Sequence, residues 1–253
     1  MDQEKKEPKA KIKKPKLTKT FAILEEAIRV WWKNLPKIVM LYLWGLLFVV
    51  IPLAVVLIFS GLMVWQGDNA SLALKTVTLI ITVAGILLAI YFAIRAYISV
   101  FVLVKKNYEG QAPAIFKETK KLFWPYFGLV VLTTIFILLW SLLLIIPGII
   151  YSVLYSLACY AFFFEDLRGL AAIRRSIQLV RGYWWPVFGR FIVLGIASWL
   201  FMLIISWPLY LGDVNSAWFQ VWNGVVQVIS FLIGPIVLLF TYRIYQDLVK
   251  IKK

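Results

Sequence analysis

Long uncharged stretches recur along this chain of 253 residues and constrain its fold more than any other feature. Residues 38–67 contain no Lys, Arg, Asp or Glu, and residues 122–164 form a second, longer uncharged stretch. A bilayer interior about 30 Å thick is crossed by roughly 20 apolar residues in a helix. The first stretch is therefore long enough for one span and the second for two. Because backbone groups in hydrocarbon must pair within their own segment, the spans are predicted to be α-helices.

The other apolar segments complete a prediction of six membrane-spanning helices. The predicted spans are residues 38–67, 74–104, two within 122–164, 185–211 and 218–248. Pro147 and Gly148 are predicted to form the tight turn between the third and fourth spans, because proline keeps the preceding residue out of the helix and glycine permits left-handed backbone. Arg95, in the second span, is expected to extend its guanidinium to the interface beside Lys105 and Lys106.

The basic residues are segregated onto alternate connections between these spans. The chain has 27 Lys and Arg against 12 Asp and Glu, a net charge of +15. With six spans, every Lys and Arg except Lys75 lies on one side of the membrane, which the positive-inside rule makes the cytoplasm. Both termini are therefore predicted to be cytoplasmic in a multi-pass protein of the cell membrane. This topology accounts for the charge excess, so no nucleic-acid partner is predicted.

Polar and amphipathic segments precede the spans. Residues 1–16 are rich in Lys, Glu and Pro and are predicted to be a disordered basic cytoplasmic tail, with residues 17–253 forming the transmembrane domain. An amphipathic segment, an aromatic cluster and a span recur at residues 17–32, 114–125 and 170–186. The predicted fold is all-α: a polytopic membrane protein whose six transmembrane helices form three hairpins, each preceded by a cytoplasmic amphipathic helix.

The chain lacks the residues that most membrane enzymes use. It contains no histidine, and its one cysteine, Cys159, lies in an apolar run. No acidic residue falls in the middle of a predicted span, and neither a glycine-rich phosphate loop nor a nucleophile elbow is present. We therefore expect no catalytic residue, metal site or cofactor, and no enzymatic activity.

Residues 145–190 carry the strongest candidate residues. Glu165 closes the fourth span, and Arg174 and Arg175 follow on a short amphipathic helix. These arginines either bind lipid phosphates or a partner, since guanidinium matches phosphate geometry, or simply anchor the helix at the interface. Glu165 either forms an ion pair with an arginine of that helix or lines a cytoplasmic entrance.

The same segment reads P-G-I-I, then an acidic residue closing the next span, then A-x-x-R-S, a glycine and aromatics. It resembles the multi-pass membrane domain of some bacterial glycerophosphoryl diester phosphodiesterases and related stand-alone bacterial membrane families. The resemblance implies a bacterial cytoplasmic membrane. Because no phosphodiesterase domain follows Lys253, hydrolysis of glycerophosphodiesters is not expected. The positions that it singles out as structural or lipid-contact residues, beside Arg174, are Pro147, Gly148, Glu165, Arg175, Ser176 and Gly182.

Two functions agree with these features. The first is a non-enzymatic membrane protein with a structural or accessory role, which contacts the bilayer's anionic inner-leaflet lipids, or a protein partner of unknown identity, through its interfacial helices and basic tail. The alternative is a transporter or permease component for a lipid or other amphiphile, suggested by the repeat, the proline-broken spans and polar residues such as Thr133, Ser141, Ser152 and Ser156 within them.

Overall fold

The computed structural model describes residues 17–67, 71–213 and 216–252, and these ranges contain helices but no strand. The predicted tail, residues 1–16, lies outside them. The helices are α1 (Thr20–Gln66), α2 (Leu72–Lys105), α3 (Ala112–Leu143), α4 (Ile145–Tyr155), α5 (Ala158–Phe164), α6 (Leu170–Val180), α7 (Trp184–Ser206), which a 3₁₀ turn (Trp207–Leu211) extends, and α8 (Ala217–Ile251). Six segments are long and apolar enough to cross a membrane: α1, α2, α3, α4 together with α5, α7 with its 3₁₀ turn, and α8. The all-α prediction and the six spans are confirmed, and the chain is an integral membrane protein.

Contacts join α1 to α2, α3 to α4, and α7 to α8. Between α1 and α2, Gly45 permits close approach, since a Cβ atom added there would lie 2.6 Å from the Cβ atom of Ala96. Between α3 and α4, the rings of Trp140 and Tyr151 stack with their centroids 4.1 Å apart. Between α7 and α8, the Trp222 indole donates a hydrogen bond of 2.9 Å to a backbone carbonyl of α7.

The predicted turn at Pro147 and Gly148 is wrong. The chain reverses at Leu144, whose extended backbone (φ −163°, ψ 147°) separates α3 from α4. Pro147 lies in the first turn of α4, where its missing N–H removes no intrahelical hydrogen bond. Gly148 is helical and buried, and a Cβ atom there would lie 2.2 Å from Ser141 Oγ. The glycine therefore serves close helix packing and not a turn.

The amphipathic segments differ in how they join the spans. The first and second continue without a break into α1 and α3, because Pro36 and Pro125 are both accommodated inside these helices. A separate helix is present only in the third case, as α6. Its buried apolar residues Ile173, Leu179 and Val180 belong to the protein core, and the helix packs on α4, α5 and α8. The apolar face of α6 thus covers protein.

Buried side chains are concentrated at one end of the bundle. We call this the basic end: it is formed by residues 17–37, 105–121, 165–190 and 243–252, and both ends of the described chain meet there, since the Thr18 N–H donates to the Asp247 carboxylate at 3.2 Å. At the opposite end, large apolar side chains such as Trp65, Leu142 and Tyr210 are exposed. The six spans are therefore held together most closely at the basic end.

Replacing Gly148 with alanine is expected to destabilise the protein by about 1–3 kcal/mol, because the added methyl group would overlap Ser141. Gly128→Ala on α3 is the matched control, since nothing lies within 4 Å of its Cβ position. Removing the opposing side chain in Ser141→Gly/Gly148→Ala is expected to recover part of the loss. The melting temperature of the purified protein in detergent reports all three, and equal values for the two single variants would contradict the packing role of Gly148.

Candidate functional site

Ion pairs connect the spans at the basic end. Each joins two different segments of the chain: Glu26 with Arg243 at 2.7 Å, Lys105 with Asp166 at 2.8 Å, Lys106 with Glu118, Glu165 with Arg175 at 2.7 Å, and Arg190 with Asp247 at 3.8 Å. Together they link α1 to α8, α2 to α3, α2 to the connection after α5, α5 to α6, and α7 to α8. Charged groups thus fix the relative positions of the helix ends on this side.

Glu165 is the most highly connected of these carboxylates. The Arg175 Nε atom lies 3.0 Å from Oε1 and 2.7 Å from Oε2, and the Tyr245 hydroxyl donates to Oε1 at 2.7 Å. The Glu165 side chain is 25% exposed. Of the two interpretations of this residue, the structure contains the ion pair. Tyr245 was missed by sequence reasoning, because a tyrosine near the end of a span is also typical of an interface belt.

Ser176 completes the backbone hydrogen bonding of the broken fourth span. The interruption between α4 and α5 frees the Leu157 N–H and the Leu154 carbonyl from their usual helical partners. The Ser176 hydroxyl accepts a hydrogen bond from the Leu157 N–H at 3.1 Å and donates one to the Leu154 carbonyl at 2.6 Å. The Ser176 side chain is fully buried. Since unpaired backbone groups are costly in an apolar medium, α6 stabilises a helix break inside the bundle.

The remaining candidate residues of α6 lie on its outer side or at its end. Arg174 is exposed and has no ion-pair partner among the described residues. Gly182 has φ 89°, a left-handed conformation that favours glycine in the turn to α7. Lys252 donates to the Gln178 and Arg181 carbonyls at the end of α6. Burial, with the nearby charges of Arg175 and Arg181, lowers the pKa of the Lys252 ammonium.

The Arg95 guanidinium reaches the basic end, where it is held by α3. It is 8% exposed, and its guanidinium donates to Thr119 Oγ1 at 2.9 Å and to the Phe116 carbonyl at 2.7 Å. The Phe116 ring centroid lies 4.4 Å from Cζ. No carboxylate of the described chain forms an ion pair with it. Hydrogen bonds and an aromatic face on α3 hold this cation, so Arg95 joins α2 to α3.

Residues 122–248, which include most of α3, all of α4 to α7 and most of α8, match a family model described as a domain of unknown function, DUF7847. The chain belongs to the DUF7847 family. No curated protein and no solved structure matches it. The matched region contains all seven candidate residues, whereas α1 and α2 lie outside it. The match shows no link to glycerophosphoryl diester phosphodiesterases.

The basic end of this DUF7847 protein carries more positive than negative charge. Of the acidic residues described there, only Glu109 forms no ion pair. Ten exposed basic side chains of the basic end have no carboxylate partner in the described chain. Five belong to α3 and α6, namely Lys117, Lys120, Lys121, Arg174 and Arg181, and the others are Lys19, Lys33, Lys37, Arg168 and Lys250. This surface can therefore attract anions without breaking the ion pairs that hold the helices.

A cleft of about 350 Å³ opens at the basic end between α2, α3 and α5. Its apolar wall includes Phe162 and Phe163, and its charged wall contains the Lys105–Asp166 and Lys106–Glu118 pairs. A ligand that contacts these lysines must compete with the two carboxylates. The cleft consequently offers weaker anion binding than the unpaired cations of α3 and α6.

Replacing Ser176 with alanine is expected to destabilise the protein by about 1–3 kcal/mol, because it leaves the Leu157 N–H and the Leu154 carbonyl unpaired. Ser152→Ala is the control, since that exposed hydroxyl only donates to a carbonyl of its own helix. Thermal unfolding in detergent measures both. Equal stability of the two variants would contradict the role of Ser176.

Proposed function

We propose that this DUF7847 protein is a non-enzymatic accessory protein of the bacterial cytoplasmic membrane, with both termini in the cytoplasm, whose basic end binds anionic lipid headgroups. The observation that carries this proposal is the division of charge at the basic end. Five of its carboxylates are paired between different segments, whereas five Lys and Arg side chains of α3 and α6 are exposed without such partners. Anionic headgroups supply the missing negative charge.

The cytoplasmic orientation is supported by the positions of the basic residues. Among the residues that the structure describes, Lys75 is the one Lys or Arg at the opposite end of the bundle, near the start of α2. Lys and Arg accumulate on the cytoplasmic side of membrane proteins, where the leaflet is also negatively charged. The likeness of residues 145–190 to bacterial glycerophosphoryl diester phosphodiesterase membrane domains adds support for this membrane.

The polar residues within the spans favour the accessory role over the transporter alternative. Thr133 donates to the Leu129 carbonyl at 2.7 Å, and Ser152 and Ser156 donate to the Ile149 and Val153 carbonyls at 2.8 Å. These hydroxyls form their hydrogen bonds with backbone carbonyls of their own helices, as polar residues in apolar surroundings commonly do. They need no substrate to complete their hydrogen bonding.

Neutralising the five unpaired cations of α3 and α6 in Lys117→Gln/Lys120→Gln/Lys121→Gln/Arg174→Gln/Arg181→Gln is expected to weaken binding of phosphatidylglycerol. Each Lys or Arg near the membrane surface contributes about 1 kcal/mol toward anionic lipid, which corresponds to about fivefold in affinity. The measurement is the rise in melting temperature of the full-length protein on titration with phosphatidylglycerol, with phosphatidylcholine as the uncharged reference.

Lys75→Gln is the matched control, because it removes a lysine from the opposite end and should leave the titration unchanged. A further variant with glutamine at the lysines of residues 5–19 measures the contribution of the tail. If the five-site variant responds to phosphatidylglycerol as the wild type does, the unpaired cations of α3 and α6 are not the lipid-binding surface.

A further inference from the structure

The cleft between α2, α3 and α5 has a charged side and an apolar side. On α2, which ends at the basic end, the lining residue Val102 lies about one turn before Lys105. On α3, which begins at the basic end, Leu122 lies one turn after Glu118. Side chains three or four residues apart share a face of a helix. Both helices therefore place a charged group nearer the basic end and an apolar group nearer the span.

The third wall of the cleft has the same order. Phe163 belongs to α5, the last part of the fourth span, and Asp166 follows the end of that helix. The uncharged stretch of residues 122–164 thus begins and ends beside the cleft. The cleft lies across the boundary between the charged end of the protein and its membrane-spanning part, which is the level of phospholipid headgroups.

Both signs of charge line the cleft, in two ion pairs. The Lys105 Nζ atom lies 2.8 Å from Asp166 Oδ1, and Lys106 pairs with Glu118. The four side chains are 41–69% exposed. Exposed ion pairs add little to stability, so a ligand can replace them at small cost. An anionic ligand would leave both carboxylates without a partner, whereas a ligand with one positive and one negative group supplies a partner to all four side chains.

The apolar wall also suits a cation. Phe162 and Phe163 line it, and aromatic faces attract ammonium and guanidinium groups. Arg168 already makes such a contact, since its Cζ atom lies 4.5 Å from the Phe162 ring centroid. Arg168 thereby adds a positive charge next to the cleft. A phosphate group is attracted to this set of cations, and the two carboxylates require an ammonium group beside it.

We propose that the cleft binds one zwitterionic phospholipid whose headgroup carries a phosphate and a primary ammonium group, as in phosphatidylethanolamine. The phosphate accepts hydrogen bonds from Lys105 and Lys106, and the ammonium group donates to Asp166 and Glu118. The acyl chains pass over the apolar side of the cleft into the surrounding bilayer. A trimethylammonium group has no N–H to donate, so the site discriminates against phosphatidylcholine. Because the preferred headgroup has no net charge, the site does not rest on the anionic-lipid binding proposed above.

Removing one ion pair tests the site without changing the net charge of the protein. Lys105→Gln/Asp166→Asn is expected to raise the phosphatidylethanolamine concentration needed for a given rise in melting temperature about tenfold, because each charged group of the headgroup loses a charge-assisted hydrogen bond. Glu25→Gln/Arg29→Gln is the matched control, since it removes an exposed ion pair of α1 that lies outside the cleft. The measurement is a titration of the full-length protein in detergent with phosphatidylethanolamine, with phosphatidylcholine as the reference.

Lys106→Gln/Glu118→Gln removes the other pair and is expected to have a similar effect. The melting temperature without added lipid shows whether each variant is folded. Equal responses of the wild type to phosphatidylethanolamine and phosphatidylcholine would overturn the proposal. An unchanged response to phosphatidylethanolamine in both pair variants would also overturn it.

Water-soluble phosphoethanolamine tests whether the ligand is a lipid. It has the same charged groups but no acyl chains, so it is expected to leave the melting temperature unchanged at the concentrations at which phosphatidylethanolamine acts. An equal rise with phosphoethanolamine would assign the cleft to a free zwitterion and overturn the lipid proposal.

Net charge distinguishes this site from the unpaired cations of α3 and α6. The five-site variant keeps both ion pairs of the cleft, so it should keep the response to phosphatidylethanolamine while its response to phosphatidylglycerol weakens. The two pair variants should show the reverse. If both pair variants respond to phosphatidylethanolamine as the wild type does while the five-site variant loses its response to phosphatidylglycerol, the cleft proposal fails and the anionic-lipid proposal stands.

Discussion

The interior of a bilayer accepts neither unpaired backbone groups nor unpaired charges, and this constraint determines where the protein can build its polar contacts. Its inter-helix ion pairs lie at the basic end. There the Glu165 carboxylate accepts hydrogen bonds from Arg175 of α6 and from Tyr245 of α8. Removing one member of such a partly buried pair leaves the other uncompensated. The core is concentrated at the same end, so helix packing and ion pairing reinforce each other there.

The fourth span shows how a departure from this constraint is tolerated. Its helix breaks between Tyr155 and Ala158, which would expose backbone groups to an apolar medium. The break lies against α6, and Ser176 pairs with both freed groups. The sequence pattern alone places α6 on the membrane surface. In the structure α6 instead stabilises the break between α4 and α5. Arg174, on its exposed side, is left available to lipid.

The sequence predicted the number of spans and the segregation of charge, because both depend on long runs and simple counts. It could not predict finer features. Pro147 and Gly148 match a turn and the first turn of a helix equally well, and only the packing of Ser141 distinguishes the two. Arg95 has the stem length to extend toward the basic end, but its two acceptors on α3 cannot be read from the pattern of α2. The partners of Ser176 are backbone atoms, which leave no signature in the sequence.

The proposed topology requires that six spans bring every basic connection to the cytoplasmic side. Single cysteines introduced as Lys75→Cys and Arg174→Cys, each in a Cys159→Ser background, can be tested in intact cells with a membrane-impermeant maleimide. Both positions are exposed in the structure and lie at opposite ends of the bundle. We expect Lys75→Cys to react in intact cells and Arg174→Cys to react only after the cells are opened. Labelling of Arg174→Cys in intact cells would contradict the topology and, with it, the proposed binding of inner-leaflet lipid.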